Sequence, residues 1–196
     1  FGADVVPQCY DDLELADLVV LAGSNAAWCH PILYQRIQLA RAERGVRVVV
    51  IDPRRTATCE GADLHLAIAP GTDQSLFNGL LVYLEQQGRR DASFVEQHTE
   101  GVEAALAAAQ QQGDLCAIAE RCGISTAQLE KFYRLFAANQ RVVTLFSQGI
   151  NQWSYGTDRV NAIINCHLLT GRIGRAGMGP FSITGQPNAM GGREVG

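Results

Sequence analysis

The feature that most constrains this sequence is a run of β-branched residues that ends abruptly in charge. Residues 46–51 read Val-Arg-Val-Val-Val-Ile, and Asp52, Pro53, Arg54 and Arg55 follow them directly. A strand that is apolar at successive positions must be covered on both faces, as strands in parallel sheets are. In open parallel sheets, ligands bind beyond the carboxyl ends of the strands. We therefore predict a buried strand whose end offers a carboxylate to a ribose or guanine edge and two guanidiniums to phosphate.

Three further apolar runs of strand length, at 18–22, 64–68 and 141–146, also stop at polar or glycine residues. Small residues let a ligand approach the backbone, and Ser and Asn side chains can hydrogen-bond to it. The residues after the three runs are Gly23, Ser24 and Asn25, then Gly71, Thr72 and Asp73, and finally 147–152.

Helical patterns alternate with most of these runs, at 32–44, 74–86, 125–139 and 157–170, while a loop joins the run at 46–51 to that at 64–68. This alternation predicts a doubly wound α/β domain, with a mostly parallel Rossmann-like sheet and helices on both faces. We predict the strand order 3-2-1-4, with a helical excursion at about 88–123. Alternate glycines in 171–180 predict a loop.

Two points remain open from the residues alone. Asp73 can cap the helix at 74–86 or bind a base edge, and its position favours the cap. The residues at 23–25 do not form a G-x-G-x-x-G loop, which argues against a plain dinucleotide dehydrogenase.

Composition excludes several classes of protein. The net charge of −4 and the lack of a Lys/Arg cluster argue against a nucleic-acid surface. No apolar run approaches membrane-spanning length. The six cysteines show no C-x-x-C pair or metal-ligand spacing, so we predict reduced thiols in a cytoplasmic protein and no metal site within the chain. The start at Phe1 and the Gly-rich end at 191–196 lead us to expect a piece of a longer protein.

Five segments of the chain together resemble the molybdopterin oxidoreductase family, and within it most closely the branch that reduces nitrate for assimilation. The last of them reads Phe-Ser-Ile-Thr-Gly-Gln-Pro-Asn-Ala-Met-Gly-Gly-Arg-Glu-Val-Gly and is the most specific. The Asp-Pro-Arg segment alone would also suit formate dehydrogenases. The five segments are 23–32, 51–56, 70–73, 147–152 and 181–196.

The resemblance implies a molybdenum bis(molybdopterin guanine dinucleotide) cofactor. Residues 1–180 would form the domain that holds one guanine dinucleotide tail, and 181–196 would be a loosely packed tail leading to the next domain. At Asp73 the resemblance favours base binding over capping, and it matches Arg193 to an arginine near the substrate. The implied cofactor-binding residues are Gly23, Ser24, Asn25, Cys29, Asp52, Pro53, Arg54, Arg55, Thr56, Gly71, Thr72, Asp73, Gln148 and Gln152.

The parent enzyme implied by this resemblance reduces nitrate to nitrite by oxygen-atom transfer. Its 4Fe-4S cluster and its molybdenum-ligating cysteine would lie upstream of Phe1, so we expect the chain alone to fold but to be inactive. Its partners would be the remaining domains, nitrate, and an electron donor such as ferredoxin, flavodoxin or an NADH-linked subunit. Two alternatives stay open: the same domain of a formate dehydrogenase-type enzyme, and a non-catalytic nucleotide-binding or interaction domain.

Overall fold

The computed structural model describes residues 6–183 and is built around a parallel sheet. The described strands are β1 (Leu18–Ala22), β2 (Arg47–Ile51), β3 (Leu64–Leu66), β4 (Val142–Phe146) and β5 (Gly179–Ser182). They form one five-stranded sheet in the order β3-β2-β1-β4-β5, and every neighbouring pair is parallel. The predicted order 3-2-1-4 is confirmed, and β5 extends it by one strand.

Ten α-helices lie within residues 6–183, and a short 3-10 turn covers Ala57–Cys59. The region 88–123, predicted as a helical excursion, contains three of these helices. The helices are α1 (Asp12–Leu15), α2 (Ala26–Cys29), α3 (Pro31–Arg44), α4 (Asp73–Gln86), α5 (Ala92–His98), α6 (Val102–Gln110), α7 (Leu115–Cys122), α8 (Thr126–Ala138), α9 (Gln148–Asn151) and α10 (Gly156–Leu169).

Both faces of the sheet are buried, as the apolar runs predict. Strands β1 and β4 are buried at every position. Leu18, Val20 and Ala22 point into a core shared with α4, α6, α7, α8 and α10. Val19 and Leu21 point to the opposite face, where they pack with residues of α1 and α3. The doubly wound α/β architecture is therefore confirmed, because successive strand residues are covered from alternate sides.

Strand β5 corrects two expectations. The loop predicted over 171–180 ends in a strand at Gly179, and the tail predicted to begin loosely packed at Phe181 is packed at its start. Gly179 and Pro180 pair with β4, and Phe181 and Ile183 are only 3% and 6% exposed. Proline is tolerated here because β5 is an edge strand. A four-residue strand with glycine and proline lacks the β-branched run by which the other strands are recognised. Residues 184–196, which include Arg193, lie outside the described part of the chain.

Within the described residues, no helix combines the length and the apolar character needed to cross a membrane.

Candidate functional site

The carboxyl ends of β1, β2, β3 and β4 open onto one cleft of about 320 Å³. This follows from the topology, since the carboxyl ends of parallel strands meet at one edge of a sheet. Each of the four strand ends contributes to the walls. The lining residues are Gly23, Ser24, Asn25, Cys29, Ile51, Asp52, Pro53, Arg54, Ile68, Pro70, Gly71, Asp73, Ser147, Gln148, Gly149 and Trp153.

Two glycines bring the loops after β1 and β4 into direct backbone contact. The Gly149 N–H donates to the Gly23 carbonyl at 3.1 Å, and Gly23 has a left-handed φ of +56°. A Cβ atom on Gly23 would lie 2.8 Å from the carbonyl carbon of Gly149. Only glycine permits both the dihedral angle and the approach. These two residues, which we call the glycine contact, leave bare backbone at the cleft wall.

The end of β1 supplies two polar side chains. Ser24 is 3% exposed, and its hydroxyl has no hydrogen-bond partner within residues 6–183. The Asn25 side-chain carbonyl accepts a hydrogen bond from the Thr58 hydroxyl at 2.9 Å, and that hydroxyl accepts from the Ala27 N–H at 3.1 Å. Thr58 thus fixes the orientation of Asn25, and Ser24 is left with an unused donor at the cleft.

The end of β2 forms a tight turn around Asp52. This residue is 5% exposed, and its Oδ1 accepts a hydrogen bond from the Arg54 N–H at 2.8 Å, as Asp residues in turns commonly do. The Arg54 Nε lies 3.7 Å from the same oxygen, while 73% of its side chain stays exposed. The turn therefore holds a carboxylate in the wall and an exposed guanidinium at the rim.

Asp73 is the first residue of α4 and follows Thr72 at the N-cap, where no side-chain capping bond is made. The capping alternative for Asp73 is therefore wrong, because the carboxylate lies one residue inside the helix. Asp73 is 8% exposed, and its Oδ2 lies 3.4 Å from Arg159 Nη1. Burial raises the pKa of Asp73, the charge of Asp52 also raises it, and Arg159 acts in the opposite direction.

The structure brings most of the predicted residues together and leaves four of them outside the lining. Arg55 and Gln152 are exposed. Thr56 precedes the 3-10 turn, and the Thr72 hydroxyl donates to the Ala69 carbonyl at 2.7 Å. The roles of all fourteen residues remain predictions, and that of Arg193 concerns a residue outside the described range. Ten of them line the cleft: Gly23, Ser24, Asn25, Cys29, Asp52, Pro53, Arg54, Gly71, Asp73 and Gln148.

Three residues that shape the cleft were not predicted from the sequence: Trp153, Thr58 and Arg159. Trp153 lines the cleft. It directly follows the predicted segment 147–152, so its position in the sequence could have indicated it. Thr58 and Arg159 carry no such signal, because each acts through a contact with a distant part of the chain. Within residues 6–183, no group of three or more His, Cys, Asp or Glu side chains could hold a metal ion.

The model of the family described as "Molybdopterin oxidoreductase" matches residues 2–196. Because that match covers almost the whole sequence, the chain belongs to the molybdopterin oxidoreductase family.

Several relatives place the chain within this family. It is 56% identical to a nitrate reductase of Shewanella frigidimarina and 55% identical to one of Klebsiella oxytoca, over its whole length in both cases. It spans only 21% and 22% of those proteins. An F420-dependent formate dehydrogenase alpha subunit of Methanocaldococcus jannaschii is 31% identical over the whole chain, which covers 29% of that subunit.

One solved structure shows the same fold. Acetylene hydratase from Pelobacter acetylenicus superposes with a TM-score of 0.59 and 26% sequence identity. The match covers 79% of this chain and 20% of the hydratase. The fold of this chain is thus shared with part of a larger protein.

Proposed function

We propose that this chain is the part of a molybdenum nitrate reductase that holds one guanine dinucleotide tail of a bis(molybdopterin guanine dinucleotide) cofactor. The observation that carries the proposal is the cleft at the ends of four parallel strands, in a chain 56% identical to a nitrate reductase. Parallel α/β sheets bind nucleotide ligands in this position.

The donors and acceptors of the cleft fit the chemistry of a guanine dinucleotide. A buried carboxylate such as Asp73 can accept from the N1–H and amino group of guanine. The unpartnered Ser24 hydroxyl can donate to a ribose or phosphate oxygen. The glycine contact lets a diphosphate approach the backbone, and the exposed Arg54 guanidinium can clamp it. The described residues therefore match each part of the tail.

In the proposed enzyme, the bound molybdenum centre supplies oxygen-atom transfer that converts nitrate to nitrite. The role of this chain is to bind and orient the tail, so that the reactive end of the cofactor is held in a fixed place. Arg193 would serve the substrate, since a guanidinium offers two parallel donors to a planar anion. This chain would not ligate the 4Fe-4S cluster of the parent.

The proposal extends to the organisation of the parent enzyme. Its guanine dinucleotide-binding domain extends past the predicted boundary at 180 to include β5 and Ile183, and the residues after 183 lead to the next domain. The remaining domains are direct partners, with ferredoxin, flavodoxin or an NADH-linked subunit as the electron donor. The enzyme is cytoplasmic, and the chain alone is inactive.

A formate dehydrogenase is the second candidate, because one such alpha subunit is 31% identical to the chain. Nitrate is favoured because identity to the nitrate reductases is 56% and 55%. Assays of the full-length enzyme with nitrate and with formate separate the two candidates.

The first test is Asp73→Asn in the full-length enzyme. The amide replaces one oxygen acceptor by a donor, so we expect at least a tenfold loss of bound guanine, which corresponds to about 1.4 kcal/mol. Bound guanine is measured as GMP released by acid hydrolysis, together with nitrate turnover. Glu130→Gln is the matched control, because the Glu130 carboxylate is half-exposed, lies outside the cleft lining, and pairs only loosely with Arg134, at 3.9 Å. Normal guanine content in the Asp73 variant would contradict the assignment of this cleft.

A further inference from the structure

A buried cation lies directly behind the cleft wall. Arg159 of α10 is 5% exposed, and its guanidinium lies among three lining residues. Its Nη1 is 3.4 Å from Asp73 Oδ2, its Cζ is 4.4 Å from the Trp153 ring centre, and its Nη2 would lie 3.4 Å from a Cβ placed on Gly71. A guanidinium taken out of water is costly unless it is paired. The fold nevertheless holds one at this wall.

The contact between Arg159 and Asp73 is an ion pair without a hydrogen bond. Arg159 Nη1 has no hydrogen-bond partner within residues 6–183, although it is close to the carboxylate. Arg159 therefore supplies positive charge without occupying the acceptor positions of Asp73. Both carboxylate oxygens can then accept from two donors on one ligand edge.

Three ionisable groups face Asp73 from the elements around it. Arg159 approaches from α10, Asp52 from the end of β2, and Cys122 from α7. Burial and the charge of Asp52 raise the pKa of Asp73, whereas the charge of Arg159 lowers it. Burial also raises the pKa of Cys122, which keeps that thiol neutral beside the carboxylate. Arg159 is thus the one of these three groups that favours the ionised form of Asp73.

Trp153 strengthens this effect by covering the guanidinium. Its indole lies over Arg159, and Trp153 itself is 49% exposed while it lines the cleft. Excluding water lowers the local dielectric constant, so the attraction between Arg159 and Asp73 is larger than at an open surface. The exposed part of the indole remains available to a ligand base.

We propose that Arg159 is a positioning residue that keeps Asp73 ionised for guanine recognition, with Trp153 as its cover. The inference rests on the proposed function, since it takes guanine as the base in the cleft. An ionised carboxylate accepts from both the N1–H and the amino group of guanine, whereas a protonated one presents an O–H to those donors. Adenine has an acceptor at N1, which an ionised Asp73 repels. The pair therefore selects guanine, and Arg159 sets the pH range over which it does so.

The test measures how acid releases guanine from the full-length holoenzyme. Four proteins are incubated across the range from about pH 4 to pH 8: wild type, Arg159→Met, Arg159→Lys and Arg172→Met. Released small molecules are removed, and the guanine that stays bound is measured as GMP. Without the neighbouring cation the pKa of Asp73 rises, so in Arg159→Met the midpoint of guanine loss should move up by about one to three pH units. Arg159→Lys keeps the charge and should retain the wild-type midpoint. Arg172 is an equally buried arginine away from the cleft, so Arg172→Met should also retain it.

Each outcome separates this inference from the proposed function. If wild type contains no guanine, the proposed function itself falls. If guanine is present and Asp73→Asn loses it, but the Arg159→Met midpoint does not move, only the role of Arg159 is overturned. An equal shift in Arg172→Met would also overturn it, since that would show a general effect of losing a buried arginine. Should Arg159→Met fail to fold, Arg159→Gln removes the same charge and must show the same shift.

Discussion

The two ends of α10 carry the same chemical group in two different settings. Arg159 near its start and Arg172 just beyond its end are each 5% exposed, and each has an Nη1 without a partner within residues 6–183. Arg172 Nη2 donates to the carbonyls of Phe136 and Asn139 at 3.1 and 2.8 Å, and its guanidinium stacks on the Phe136 ring at 4.7 Å. Arg159 instead faces a carboxylate and a half-exposed indole.

The difference separates a cation that serves the fold from one that serves a site. Arg172 satisfies carbonyl groups at the C-terminus of α8 that have no partner inside the helix. Within residues 6–183 the Arg159 Nη1 has no hydrogen-bond partner, and its charge is directed at Asp73 in the cleft wall. A buried polar group whose hydrogen bonds close within the backbone stabilises structure, whereas a buried cation beside a carboxylate in a cleft wall is placed to act on a ligand site.

Asp73, which faces Arg159, and His167, which lies near Arg172, change the free energy of unfolding in opposite directions as the pH falls. Burial raises the pKa of Asp73, so the folded state binds a proton on this carboxylate more tightly than the unfolded state does. Ionised Asp73 therefore lowers the free energy of unfolding at neutral pH, and protonation in acid restores it. Burial and Arg172 lower the pKa of His167, which is fully buried with its Nε2 at 2.8 Å from the Thr144 hydroxyl. Its contribution is complete above the unfolded pKa near 6.5 and is lost as the pH falls.

The largest expected effect is on the cleft side, from Gly23→Ala. The new Cβ would meet the backbone of Gly149 at 2.8 Å and would require a left-handed φ. We expect a loss of about 3 kcal/mol or more in the free energy of unfolding of the 196-residue chain, measured by chemical denaturation, and loss of guanine from the holoenzyme. Gly45→Ala is the control, because Gly45 also has a positive φ, of +72°, with nothing within 4 Å of its Cβ position. Gly45→Ala should lower the free energy of unfolding by about 1 kcal/mol. Equal losses in both variants would show that the glycine contact does not contribute to stability.

Arg172→Met sharpens the comparison at the other end of α10. Removing the guanidinium takes the donor away from one buried and one partly buried carbonyl, so the chain should lose about 1–3 kcal/mol of unfolding free energy by chemical denaturation. Arg159→Met should lose less at neutral pH, because it leaves no backbone acceptor behind and Asp73 can take up a proton. A larger loss of unfolding free energy in Arg159→Met than in Arg172→Met would contradict the view that Arg172 stabilises the fold and Arg159 serves the cleft.

The smallest effect expected concerns His167. Acid unfolding of the wild-type chain should include a contribution of up to about 1.4 kcal/mol per pH unit below about pH 6.5, as the buried imidazole is forced to take up a proton. His167→Gln should flatten this part of the dependence, measured as unfolding free energy against pH. His98→Gln is the control at an exposed histidine, and an identical slope in wild type and in His167→Gln would contradict the expectation.

The sequence predicts the order of the first four strands because each is an apolar run, and helical patterns lie between the first and second runs and between the third and fourth. It does not predict β5, since a short edge strand holding Gly179 and Pro180 is recognised only by its pairing with β4. The start of α4 excludes the capping role of Asp73 and leaves base binding as a prediction; sequence does not place a helix start to within one residue. Arg159 shows no signal in sequence, because an arginine on a helix is ordinarily solvated and only the packing of α10 on α4 brings it to Asp73.

The position of β1 at the centre of the sheet has a consequence for how the chain folds during synthesis. Its start is joined to that of β4 by Asp17 and Arg141, which are 124 residues apart. The growing chain can pair β1 with β2 early, but the other edge of β1 stays open until β4 leaves the ribosome. Pairing of such distant segments is slow, and an open hydrophobic edge invites aggregation. The β1–β4 seam therefore closes late in synthesis, and the apolar edge of β1 is open to wrong pairing until then.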